Sequence, residues 1–77
     1  MAEQELWQAV LHQAYNDALR LEKRLITPDD QKKAIEWIYA KKHYEDFAMV
    51  CSLAGINPYW FRRIVYANGI FNSANLN

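Results

Sequence analysis

Cys51, His12 and His43 are the residues of this 77-residue sequence that could serve nucleophilic or metal-assisted catalysis. A thiol nucleophile needs an imidazole to activate it and a third group to orient that imidazole. The spacing does not supply such a set. Cys51 falls among Val50, Leu53 and Ala54, where a thiol behaves as a small hydrophobe. His12 sits between Leu11 and Gln13 on the polar side of one helical segment, and His43 closes a basic cluster with Lys41 and Lys42 on another. The acidic pairs Asp29-Asp30 and Glu45-Asp46 are accounted for by helix starts, where carboxylates are favoured. A single cysteine allows neither an intrachain disulfide nor a zinc knuckle, and no glycine-rich phosphate loop is present in the sequence. The expectation is a protein that is not an enzyme and uses no cofactor or metal.

A second group of residues has recognition chemistry. Asn57, Tyr59, Trp60, Arg62 and Arg63 lie within seven positions, and Lys41 and Lys42 precede them on a separate segment. Arginine offers a planar fork that holds guanine at two atoms or grips phosphate, so one of Arg62 and Arg63 could read bases while the other positions a duplex. Spacing alone leaves open which does which. Tyr59 and Trp60 have three readings: core, contact with sugars or thymine methyls, or anchors for a protein partner. Lys41 and Lys42 could contact phosphates, whereas Lys32 and Lys33 read as a solvated helix face.

These side chains need elements to position them. Leu6, Trp7, Val10, Leu11, Ala14, Tyr15, Ala18 and Leu19 recur at spacings of three and four, which predicts a first helix from Glu3 to about Leu21. Thr27-Pro28-Asp29-Asp30 supplies a cap, a proline suited to the first helical position and two first-turn acids, so a second helix starts near Pro28. Its pattern runs through Ala34, Ile35, Trp37, Ile38 and Tyr39, and Lys41-Lys42-His43 closes it. A third helix covers residues 44 to 53 with Phe47, Val50, Cys51 and Leu53 on helical spacing. Gly55 breaks it, Asn57-Pro58 starts a fourth helix, and that helix runs to about Ala67 before Asn68-Gly69 gives a further stop. Ile70 and Phe71 are expected to dock on the body.

Residues 47 to 66 meet the requirements of a helix-turn-helix. Cys51 is the small residue at the helix crossing and Gly55 is the turn. Val50, Ala54, Ile56, Phe61 and Ile64 fall at positions that lock both helices into a core. The fourth helix is then the element offered to a major groove, with Asn57, Tyr59, Trp60, Arg62 and Arg63 outward.

Composition bounds the alternatives. Hydrophobic residues make up 52% of the chain with only two glycines and two prolines, which suits one small globular domain and argues against disorder. Formal net charge is zero, which disfavours a generic polyanion binder. The charge is unevenly placed, however: residues 1 to 30 carry net −3 and residues 31 to 77 net +3, so an anionic partner should meet the C-terminal half. The lone thiol, the lack of a membrane-length apolar run and the acidic N-terminus predict a cytoplasmic location.

Leu6-Trp7-Gln8-Ala9-Val10-Leu11, Ala34-Ile35-Glu36-Trp37-Ile38, and Asp46-Phe47 with Val50-Cys51, Ala54-Gly55-Ile56-Asn57-Pro58 and Arg62-Arg63 form a pattern that resembles a group of small phage and prophage proteins described as helix-turn-helix-like. The resemblance covers residues 5 to 65 and is most specific from Asp46 to Arg63. It implies a phage origin, a host-cytoplasm location and a role in transcription or host takeover, with no secure activity to transfer.

The combined expectation is an all-α, small orthogonal bundle of about four helices. Residues 1–71 form the domain, with the helix-turn-helix at 47–66, and residues 72–77 form a flexible tail. The predicted function is binding of double-stranded DNA in transcriptional regulation. A homodimer is expected because one short reading helix contacts few bases, with Trp7 and Tyr15 on the first helix as its surface. The alternative keeps the same surface but directs it to a host protein such as RNA polymerase or a nuclease.

Overall fold

The computed structural model describes residues 3–70 and contains four α-helices, with no strand among the described residues. The elements are α1 (Glu3–Leu19), α2 (Pro28–Tyr39), α3 (Tyr44–Ala54) and α4 (Pro58–Val65). The predicted all-α bundle is therefore what forms. Phe71 and the proposed tail at 72–77 lie outside the described residues, as does the docking of the Ile70 side chain.

The core is built from all four helices: Leu11 and Ala18 of α1, Ile38 of α2, Phe47, Val50, Cys51 and Ala54 of α3, and Phe61 and Val65 of α4. Removing each of the larger side chains from water contributes roughly 1.5–3 kcal/mol. Phe47 is fully buried at the centre, with Trp37 edge-on to it at 5.3 Å and Phe61 tilted against it at 5.8 Å. Helix α1 lies against both α2 and α3 and so forms the platform on which the others assemble.

Local chemistry sets the helix ends, with some departures from the sequence reading. Helix α1 stops at Leu19 rather than Leu21, because Arg20 adopts a left-handed φ of 51° and the Leu21 amide closes back on the Asn16 carbonyl. The Arg20 side chain then spans the turn and donates from Nε to the Ile26 carbonyl at 2.7 Å. Helix α2 begins as expected, with a reciprocal capping box: the Asp30 amide donates to Thr27 Oγ1 and the Thr27 amide to Asp30 Oδ2, both at 3.1 Å. Lys41-Lys42-His43 does not close it. Ala40 turns extended, and the three basic residues form a separate 3-10 turn that leads directly into α3.

The far end of α4 also differs. Regular hydrogen bonding stops at Val65, two residues before the expected Ala67, and a wider π-type turn carries the backbone through Tyr66–Ile70. Gly69 is not a left-handed stop. It sits against Leu19, whose side chain occupies the space a Cβ would need, so the glycine permits close approach of the chain to α1.

Candidate nucleic-acid interface

The junction between α3 and α4 is formed as the residues require. Gly55 takes a left-handed φ of 72° and ends α3, and the Ile56 amide donates to the Cys51 carbonyl at 2.9 Å. Asn57 caps α4 through Oδ1, which accepts from the Tyr59 and Trp60 amides at 2.8 and 3.2 Å, and Pro58 follows at the first helical position. Cys51 and Ala54 are both wholly buried on the side of α3 that faces the core. Small residues there allow the two helices to pack with Phe61 and Val65 beneath them.

Helix α1 holds this junction from outside the segment. Gln4 and Gln8, one turn apart, each donate from Nε2 to the Ala54 carbonyl at 3.1 Å, satisfying one of the acceptors left unpaired at the end of α3. The apolar periodicity of α1 gave no sign of this contact, but two glutamines four residues apart on one helix face were a readable hint.

Tyr59 is 67% and Trp60 53% exposed, so neither belongs to the core. Arg63 is exposed and lies four and three residues beyond them, on the same face of α4. Asn57 is exposed, with its side-chain oxygen committed to capping. Lys41 and Lys42 are exposed on the turn that joins α2 to α3. Ile56 and Ile64 are half-buried rather than fully locked away.

Arg62 does not point outward with Arg63. Its guanidinium carbon lies 5.0, 5.1 and 5.7 Å from the ring centroids of Phe47, Tyr44 and Tyr39, and Nε donates to the Ile38 carbonyl at 2.7 Å. Residues 62 and 63 are adjacent on a helix and so differ by about 100° in direction, which brings only one of them over the aromatic cleft left by α2 and α3. The Tyr39 hydroxyl returns a bond to the Arg62 carbonyl at 2.6 Å. Tyr39 and Tyr44, which flank the basic turn, are thus part of this corner, although the sequence placed Tyr39 only in the apolar pattern of the second helix and gave Tyr44 no role.

The titratable groups follow the packing. The Tyr44 pKa is raised, first by a side-chain hydrogen bond with Tyr59, while Arg62 pulls it the other way. Burial raises that of Tyr39, again against the pull of Arg62. Burial also pushes the Cys51 thiol up to about 11, so at neutral pH it is a protonated, poorly nucleophilic group inside the core. His12 is exposed on α1 and His43 half-buried in the basic turn.

One other expectation is altered. Trp7 and Tyr15 are not surplus aromatics at the surface of α1: both are half-buried against the core, leaving Leu6 and Val10 as the large exposed apolar residues there. The Trp7 Nε1–H is buried without an acceptor among the described residues. In addition, an apolar groove runs between α1 and α4, bounded by Leu11, Tyr15, Ile56, Trp60 and Ile64.

Comparison of the chain with protein-family models, with curated proteins and with solved structures finds no match in any of the three.

Proposed function

We propose that the chain binds double-stranded DNA without catalysing a reaction, placing α4 in the major groove as the second helix of a helix-turn-helix. The observation that carries the reading is the α3–Gly55–α4 junction. It is held by Gln4, Gln8 and Asn57, is buried on its Cys51, Ala54, Phe61 and Val65 side, and leaves Tyr59, Trp60 and Arg63 in solvent. Arg63 supplies the hydrogen-bonding fork, and Tyr59 and Trp60 supply apolar contact to sugars and thymine methyls. Lys41 and Lys42 add phosphate contacts beside the reading helix. A regulatory role in transcription, in a phage-infected or lysogenic host, is the setting that the sequence pattern from Asp46 to Arg63 suggests.

A mobility-shift series with a randomised duplex pool tests this from low to moderate salt. Retention that falls steeply with salt, and that enriches a sequence after selection, supports the proposal. No retention at low salt would sink it.

A second reading is favoured by the groove between α1 and α4. Trp60 stands at its rim, the lining is almost wholly apolar, and withdrawal of Arg62 leaves the outer face of α4 more aromatic than basic. Such a surface suits a protein partner anchored on Trp60. Binding of that kind would change little with salt and would be lost in Trp60→Ala, whereas Arg63→Ala would leave it nearly intact.

A further inference from the structure

Arg62 has five N–H donors, of which Nε–H is engaged by the Ile38 carbonyl. The residue as a whole is half-buried, so part of the side chain meets solvent. Tyr39, Tyr44 and Phe47 surround the guanidinium, and Arg62 is still only half-buried. Its neighbours suit an anion. The Tyr44 ring centroid lies 5.1 Å from the guanidinium carbon, the Tyr44 side chain pairs with Tyr59, and the turn that leads into Tyr44 carries Lys41 and Lys42. Glu45 and Asp46 follow on α3, and the Asp46 carboxylate is engaged by the Trp37 indole N–H at 2.8 Å. The segment that contains Tyr44 thus carries two lysines and two carboxylates, one of them already hydrogen-bonded.

We infer that Arg62 is a preset phosphate clamp, its end-on edge and the Tyr44 and Tyr59 hydroxyls taking one phosphate of a nucleic-acid backbone, while Arg63 reads base edges. The assignment rests on the DNA-binding reading above and divides roles that the sequence left open between two adjacent arginines. The physical basis is preorganisation. A guanidinium already fixed by three rings and a carbonyl loses little freedom when phosphate arrives, and a bidentate edge matches two phosphate oxygens. Arg63, free on the exposed face of α4, can adapt to the groove floor instead.

The test uses the full chain labelled with nitrogen-15, following the Arg62 Nε–H signal, which its bond to Ile38 shelters from exchange. Inorganic phosphate and a short selected duplex are titrated separately. The expected result is that both move this signal. Arg62→Gln should weaken every duplex by a common factor and lower the salt slope by about one, whereas Arg63→Ala should cut discrimination between selected and scrambled duplexes about tenfold. A wild-type salt slope in Arg62→Gln, or a loss confined to the selected duplex, would overturn the assignment. Should Arg62→Gln fail to fold, Tyr44→Phe/Tyr59→Phe decides: it keeps the rings, and a uniform loss of about threefold or more supports the clamp while unchanged affinity overturns it. A wild-type chain that binds no duplex defeats the DNA reading alone if phosphate still moves Arg62, and defeats the clamp as well if phosphate does not.

Discussion

Tyr39 and Arg62 are joined in two ways: the tyrosine hydroxyl donates to the Arg62 carbonyl at 2.6 Å, and the guanidinium carbon lies 5.7 Å from the Tyr39 ring centroid. The carbonyl belongs to the last turn of α4, so the bond fastens α4 to the end of α2. Tyr39→Phe keeps the ring and removes the bond, and should lower the unfolding free energy by about 1 kcal/mol. Chemical denaturation measures it, and an unchanged midpoint would mean that the hydroxyl adds nothing net. Arg62→Ala removes stacking and the bond to Ile38 together and should cost about 2–3 kcal/mol.

Gly55 should tolerate substitution poorly. Its φ of 72° strains any side chain, and a Cβ would meet the Gln4 side-chain amide. Gly55→Ala is expected to cost about 1–2 kcal/mol from the backbone conformation, with a further contribution from displacing Gln4. A double-mutant cycle with Gln4→Ala separates the two, since the displacement cost vanishes once the glutamine is gone. Purely additive values would show that Gln4 yields freely.

Stability should decline in alkali, and Cys51 should set where the decline starts. The unfolded thiol ionises near its ordinary pKa of 9.0 and the folded one near 11, so the folded state binds more protons across that interval. Its contribution is complete below pH 9.0 and is lost as pH rises toward about 11, by up to about 2–3 kcal/mol. Tyr39 and Tyr44, also raised, add to the loss above their ordinary value of 10.0. Denaturation midpoints of wild type and Cys51→Ala between pH 8 and pH 11 check this. The variant should hold its stability up to about pH 10, where the tyrosines begin to ionise, and curves of identical shape would refute the assignment.

Acid should loosen α2 at its start. The Thr27 backbone bond, followed by its side-chain bond, lowers the Asp30 pKa below 3.8. The carboxylate therefore contributes stability above that value, which is lost as pH falls through the lower, folded-state pKa. Thr27→Ala removes one half of the capping box and should cost about 1 kcal/mol at neutral pH. Amide exchange at Gln31 and Lys32 is the local readout, and protection that is the same at neutral and strongly acidic pH would count against the box.

The existence of the four helices and the starts of α2 and α4 were legible in the residues themselves. Thr27-Pro28, Gly55 and Asn57-Pro58 act through bonds to their own neighbours, so their effect was readable without a partner, and the apolar spacing named Leu11, Ile38, Phe47, Val50 and Phe61 as core. Tertiary structure decided everything that depended on a distant residue. Arg62 and Arg63 are chemically identical and adjacent, and only the cleft between Tyr39, Tyr44 and Phe47 separates the held one from the free one. Gly69 looked like a helix stop until Leu19 was found in the space beside it, and the grip of Gln4 and Gln8 on the Ala54 carbonyl depends on how α1 packs against the end of α3. Local signals work over one helical turn, whereas the direction of a long side chain is chosen by surfaces from elsewhere in the chain, and periodicity carries no record of them.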